Sequence, residues 1–145
     1  MEFMWADTLL AAEGAHVIRL LAWGGGSVLI GTTLLAWLHV GHRRSSLLQH
    51  FGIQTAAWGA VVLVIGVFAR ITLSPRDLAS ATRLDRLLWL NVGLDIGYAL
   101  VGLTLVVVAW RFGRRLGLVG AGLAVVIQGL ALALLDLLLA SQISR

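Results

Sequence analysis

The stretch LNVGLDIGYALVG, residues 90–102, sets an amide, a carboxylate and a phenol inside a segment that is otherwise apolar for the length of a bilayer crossing. At about 100° per residue, Asn91, Asp95, Tyr98 and Gly102 stand at i, i+4, i+7 and i+11 and share one narrow helix face. A lone Asp at the centre of a membrane helix costs about 2.5–3.5 kcal/mol on insertion scales. That face must therefore meet partners inside the protein. The fold expected is an all-α integral membrane bundle built around a polar seam.

Composition agrees with a membrane chain. Hydrophobic residues make up 59 %, mean hydropathy is +0.94 and only 12 % of residues are charged, which overrides the soluble-domain expectation for 145 residues. Seventeen glycines against one proline suit close-packed membrane helices better than a loop-rich soluble fold. The absence of cysteine excludes disulfides, thiolate metal sites and a cysteine nucleophile. The 11 basic residues are all arginine and cluster at the ends of apolar segments. Lipid headgroups account for that placement, and nucleic-acid binding is not expected.

Four spans follow, at about 15–40, 50–69, 87–110 and 117–140, in one membrane domain covering residues 1–145. Met1–Glu13 carries three acids and no base, so it reads as an interfacial lead-in with Phe3, Met4 and Trp5 at headgroup level. Asp7 before Thr8 is the expected N-cap of the first helix, and Gly24-Gly25-Gly26 is an expected kink or close crossing. Residues 74–86 read as an amphipathic connection, with Ser74-Pro75 opening a helix and Asp77 in its first turn. Glycines repeat every seven residues: Gly52, Gly59 and Gly66 in the second span, and Gly122, Gly129 and then Asp136 in the fourth. With Gly93, Gly97 and Gly102 they are the expected helix-packing positions.

An internal repeat is also legible. A shift of 71 places Gly26 on Gly97, Gly31 on Gly102 and Arg43-Arg44 on Arg114-Arg115; a shift of 70 places Gly52 on Gly122 and Gly59 on Gly129. This predicts two helical hairpins about an axis along the membrane normal, with Gly66 and Asp136 equivalent. Arg43, Arg44, Arg111, Arg114 and Arg115 lie directly against helix ends, which places loops one and three in the cytoplasm and both termini outside it.

The candidate site is the polar seam. Asp95 lies about 12 Å inside the long-loop face at 1.5 Å per residue, and Asp136 lies one turn from the same face. Asn91, Tyr98, Gln54, Gln128 and Arg70 are its expected companions, with His16 and Arg19 in the same half. Such a seam either fixes helix register or carries a proton, cation or ligand. His39 and His50, with His42, bracket the first loop and are weaker candidates for haem or a metal. No enzymatic motif is present.

Gln54-x3-Trp58-Gly59, Asn91-x-Gly93-Leu94-Asp95-x-Gly97-Tyr98, Gly120-x-Gly122 and Gln128-Gly129-x6-Asp136 together resemble an uncharacterised bacterial family of small four-helix membrane proteins. The resemblance covers the second to fourth spans and implies a multi-pass protein of the bacterial inner membrane, without supplying a chemistry or a cofactor. The function expected first is a non-enzymatic accessory subunit that packs against other membrane subunits or itself through its glycines. A small proton, cation or solute transporter using Asp95 and Asp136 is the alternative, and a haem- or pigment-binding subunit is the third.

Overall fold

A computed structural model describes residues 2–143, with side chains described from Ala6 onward. The proposed headgroup anchors Phe3, Met4 and Trp5, and the terminal Arg145, lie outside the described side chains. Four helices follow one another: α1 (Glu2–Val40), α2 (Ser46–Ile71), α3 (Leu78–Arg111) and α4 (Leu116–Ile143). Each is long and apolar enough to cross a membrane, and the chain is an all-α, four-helix, multi-pass membrane protein.

Three helices begin earlier than the hydropathy suggests, α2 by about one turn at Ser46 and α1 and α3 by more. Helix α1 starts at Glu2, so Asp7 and Thr8 lie within it and Asp7 is not its N-cap. It runs without a break through Gly24-Gly25-Gly26, because the glycines let α2 approach and the backbone stays helical. Helix α3 absorbs most of the expected connection and starts at Leu78. Its N-cap is Asp77, not Ser74: the extended Asp77 (φ −82°, ψ 172°) accepts a hydrogen bond from the Ser80 N–H. The Ser80 hydroxyl and N–H hold the Asp77 carboxyl below the usual carboxylate range.

At about 1.5 Å per residue α1 spans about 58 Å and α3 about 51 Å, against a hydrocarbon core of about 30 Å. Their surplus lies on the side of the long connection. There Leu88, Leu139 and Ala140 form a buried apolar cluster joined by Ala12, Leu84 and Ile143.

The helices pair as two glycine-zipped hairpins. In the first, a Cβ on Gly31 would lie 2.6 Å from both the Gly52 carbonyl oxygen and the Ala56 nitrogen. One on Gly59 would lie 2.8 Å from the Gly24 oxygen and 2.7 Å from the Val28 nitrogen. In the second, a Cβ on Gly102 would meet the Gly122 oxygen at 2.7 Å and the Val126 nitrogen at 2.9 Å, and one on Gly129 the Asp95 oxygen at 2.5 Å and the Ala99 nitrogen at 2.9 Å. Adding 71 to α1 positions and 70 to α2 positions converts each set of partners into the other, since 24, 28 and 31 become 95, 99 and 102, and 52, 56 and 59 become 122, 126 and 129. The repeat is therefore a shared packing register, not only a shared spacing.

The hairpins join where α2 and α4 begin. A Cβ on Gly120 would run into the Leu47 carbonyl, and one on Gly117 would lie 2.8 Å from Ser46 Oγ and 2.9 Å from the His50 ring. Gly66 packs on Leu21. Gly93 and Gly97 face outward on α3 with no neighbour within 4 Å of a Cβ, so they belong to neither seam. Both tight loops turn through left-handed backbone, at His42 (φ +48°) in one and at Gly113 and Arg114 (φ +92° and +50°) in the other. Each sets an arginine over a tryptophan, Arg43 on Trp37 and Arg114 on Trp110.

Gly59→Leu and Gly129→Leu each force two backbones apart and are expected to destabilise the protein by about 1–3 kcal/mol or more. Gly97→Leu and Val107→Leu, on the open surface of α3, leave thermal unfolding in detergent unchanged. Reporter fusions at Arg44 and Arg115 are expected to give one signal and a fusion at Asp77 the opposite one.

Candidate functional site

Helices α2 and α4 meet at the loop-one and loop-three face and diverge towards the long connection, where α1 and α4 keep the hairpins joined. Helix α4 approaches all three others, but among the described residues no Cα of α2 comes within 8 Å of one in α3. Between them lies a cavity of about 670 Å³. Its apolar wall includes Val61, Ile65, Leu94 and Tyr98, each 45–53 % exposed, so the cavity opens sideways between α2 and α3. In a bilayer that opening faces acyl chains.

The inner wall is polar. Asp95 and Asp136 line it, both buried, together with Glu13, His16, Asn91 and Arg76. Helix periodicity puts Asn91, Asp95 and Tyr98 on the cavity side of α3, while the Asp95 carbonyl backs onto Gly129 of α4. Gly102, the fourth member of that sequence face, turns to Gly122 instead.

Two of the acids on this wall, Glu13 and Asp136, meet a partner within the protein. His16 Nε2 lies 3.3 Å from the Asp136 carboxylate, and the Asn91 amide lies within hydrogen-bonding reach of the same carboxylate. Arg76 Nε donates to Glu13 at 2.6 Å, tying the long connection to α1 at the mouth of the cavity. The second ring nitrogen of His16 and one guanidinium nitrogen of Arg19 are buried without a hydrogen-bond partner. Asp95 interacts with Asp136 only through space, and no described side chain donates a hydrogen bond to it. Beside it, the Trp58 and Tyr98 rings meet at 5.4 Å with a 60° tilt and link α2 to α3.

The other expected seam residues separate. Gln54 lines the deep end of the cavity, away from the carboxylates. Gln128 is buried in a different joint: it accepts from the Trp23 indole at 2.8 Å and donates to the Ser27 hydroxyl at 3.0 Å, clasping α1 to α4. Arg70 is exposed and is absent from the cavity wall, because its position on α2 faces outward; Arg76 stands where an arginine was expected. Glu13 and Arg76 were not legible as site residues. The signal available was a lone Glu in register with His16, three residues on, once α1 is extended to the N-terminus.

On the opposite face His39 and His42 line a polar recess of about 430 Å³ with Arg43, Arg44 and Gln49. His50 Nδ1 lies 2.8 Å from the Ser46 carbonyl of its own helix, so His39 and His50 do not converge. Among the described residues no three His, Asp or Glu side chains come together as metal ligands would.

Residues 19–137 match the family of unknown function DUF6992, and the chain belongs to that family. No curated protein and no solved structure matches it.

Removing Arg76 leaves a buried Glu13 carboxylate unpaired. Arg76→Ala is therefore expected to destabilise the protein by about 1–3 kcal/mol, more than Arg70→Ala, which removes an exposed group. Thermal unfolding of the two variants side by side checks this.

Proposed function

We propose that this small multi-pass membrane protein binds an amphiphilic molecule in the cleft between α2 and α3, with the tail towards the bilayer and the head towards Asp95 and Asp136. The observation that carries this reading is a laterally open apolar cleft ending on a buried carboxylate to which no described side chain donates a hydrogen bond. A buried charge without a partner is costly, so a ligand that supplies one is held by the difference.

Binding fits the geometry better than passage across the membrane. The lining ends at Gln54 and Tyr98, and beyond them the α2–α4 crossing at Gly117 and Gly120 brings backbones into contact. The arginines against the ends of the tight loops support a bacterial inner-membrane protein with those loops in the cytoplasm. A second reading, an accessory subunit that associates with itself or with another membrane subunit, is favoured by one feature. Gly93 and Gly97 form a small-x3-small pair on the open face of α3, spaced as in close helix dimers.

Long-chain alcohol, amine and sulfate probes carrying a photoreactive group on the chain test the cleft. At least one is expected to label Val61, Ile65 and Leu94 saturably, in preference to the more exposed Ile18 and Leu29. Ala57→Phe, which fills the cleft from α2, is expected to weaken that labelling about tenfold. Even labelling of all exposed apolar residues by all three probes overturns the reading.

A further inference from the structure

We infer that the head held in this cleft is an ammonium ion, seated between the Asp95 carboxylate and the Trp58–Tyr98 ring pair; the inference rests on the amphiphile-binding reading above. Asp95 is 9 % exposed, lines the cavity and receives no hydrogen bond from a described side chain, whereas Glu13 and Asp136 are already met by Arg76 and His16. A head that satisfies Asp95 must donate hydrogen bonds or bring positive charge. An anionic head offers the Asp95 carboxylate no donor, and a neutral one satisfies a lone pair without bringing positive charge.

The rings narrow the class further. Tyr98 stands three residues beyond Asp95 on the same helix, so a cation at the carboxylate lies beside the Tyr98–Trp58 corner, whose centroids are 5.4 Å apart. A carboxylate next to paired aromatic rings is a setting that favours an organic ammonium over a hydrated inorganic ion. A metal ion would call for converging ligands, and no such group of three occurs among the described residues. The apolar wall of Val61, Ile65 and Leu94 then takes the chain attached to the ammonium. The ammonium group can belong to a phospholipid such as phosphatidylethanolamine or to a free long-chain amine, and the chemistry of capture is the same.

The test uses the full-length protein in phosphatidylglycerol vesicles and three probes with the same nitroxide-labelled chain: an amine, a phosphatidylethanolamine and an alcohol. Quenching of Trp58 is read as the difference between the native protein and Trp58→Phe. The amine, the phosphatidylethanolamine or both are expected to quench at about tenfold lower mole fraction than the alcohol; which of them does so identifies the source. Asp95→Asn is expected to bring their curves onto that of the alcohol. Tyr98→Leu, at a half-exposed position, reduces the same preference should Asp95→Asn fail to fold. If the alcohol quenches as well as the ammonium probes in the native protein, the cleft binds amphiphiles and the ammonium inference is overturned. If no probe quenches saturably, the cleft reading itself falls, and the inference with it.

Discussion

Backbone contact between helices is the constraint on which this molecule depends. Within lipid, apolar side chains gain little by turning from acyl chains to one another, so close van der Waals approach must hold the helices. At Gly31–Gly52, Gly24–Gly59, Gly102–Gly122 and Asp95–Gly129 the absence of a side chain on at least one helix brings carbonyls and amides of the other into contact. Those contacts fix register as well as distance. The last of them presses the Asp95 backbone onto α4, while its side chain lines the cavity beside Asp136. That single crossing sets where Asp95 stands in the cavity wall.

The two hairpins share a register but not a joint. Under the repeat, Trp23 and Ser27 of α1 correspond to Leu94 and Tyr98 of α3, and Gln128 of α4 corresponds to Trp58 of α2, since 23 and 27 plus 71 give 94 and 98 and 58 plus 70 gives 128. At the first joint the residues are hydrogen-bonded and α1 lies against α4. At the second the same positions meet only as two rings, and α2 and α3 stay apart. The carboxylates show the same asymmetry. Asp95 corresponds to Gly24 and Asp136 to Gly66, so both acids occur where the first hairpin has glycine. One half of the repeat holds the molecule shut and the other holds it open.

Much of this was legible in the sequence, and what was not has physical causes. Four helices, their order and the glycine heptads followed from hydropathy and spacing, because in a membrane those signals are not diluted by loops. The starts of α1 and α3 were not, because Glu2, Asp7 and Glu13, and Arg83, Asp85 and Arg86, are polar enough to end a span yet do not stop a helix from continuing above the hydrocarbon. That error hid Glu13 and Arg76. Asp95, Asn91, Tyr98 and Asp136 came together as helical spacing and depth suggested. Gln128, Gln54 and Arg70 did not, because depth alone does not say which neighbour a helix face meets, and α4 meets three. Gly93 and Gly97 show the same limit: a glycine pair marks the possibility of close contact, and only the bundle decides whether that contact is used.

The surplus length of α1 and α3 lies entirely on the side of the long connection, while α2 and α4 meet backbone to backbone on the other. The cleft is thus a blind notch in the bundle, running from the long-connection side to Gln54 and Tyr98 and closed beyond them where α2 and α4 cross. A molecule of the kind proposed for it would enter and leave by the same opening, so the shape allows return and no through passage.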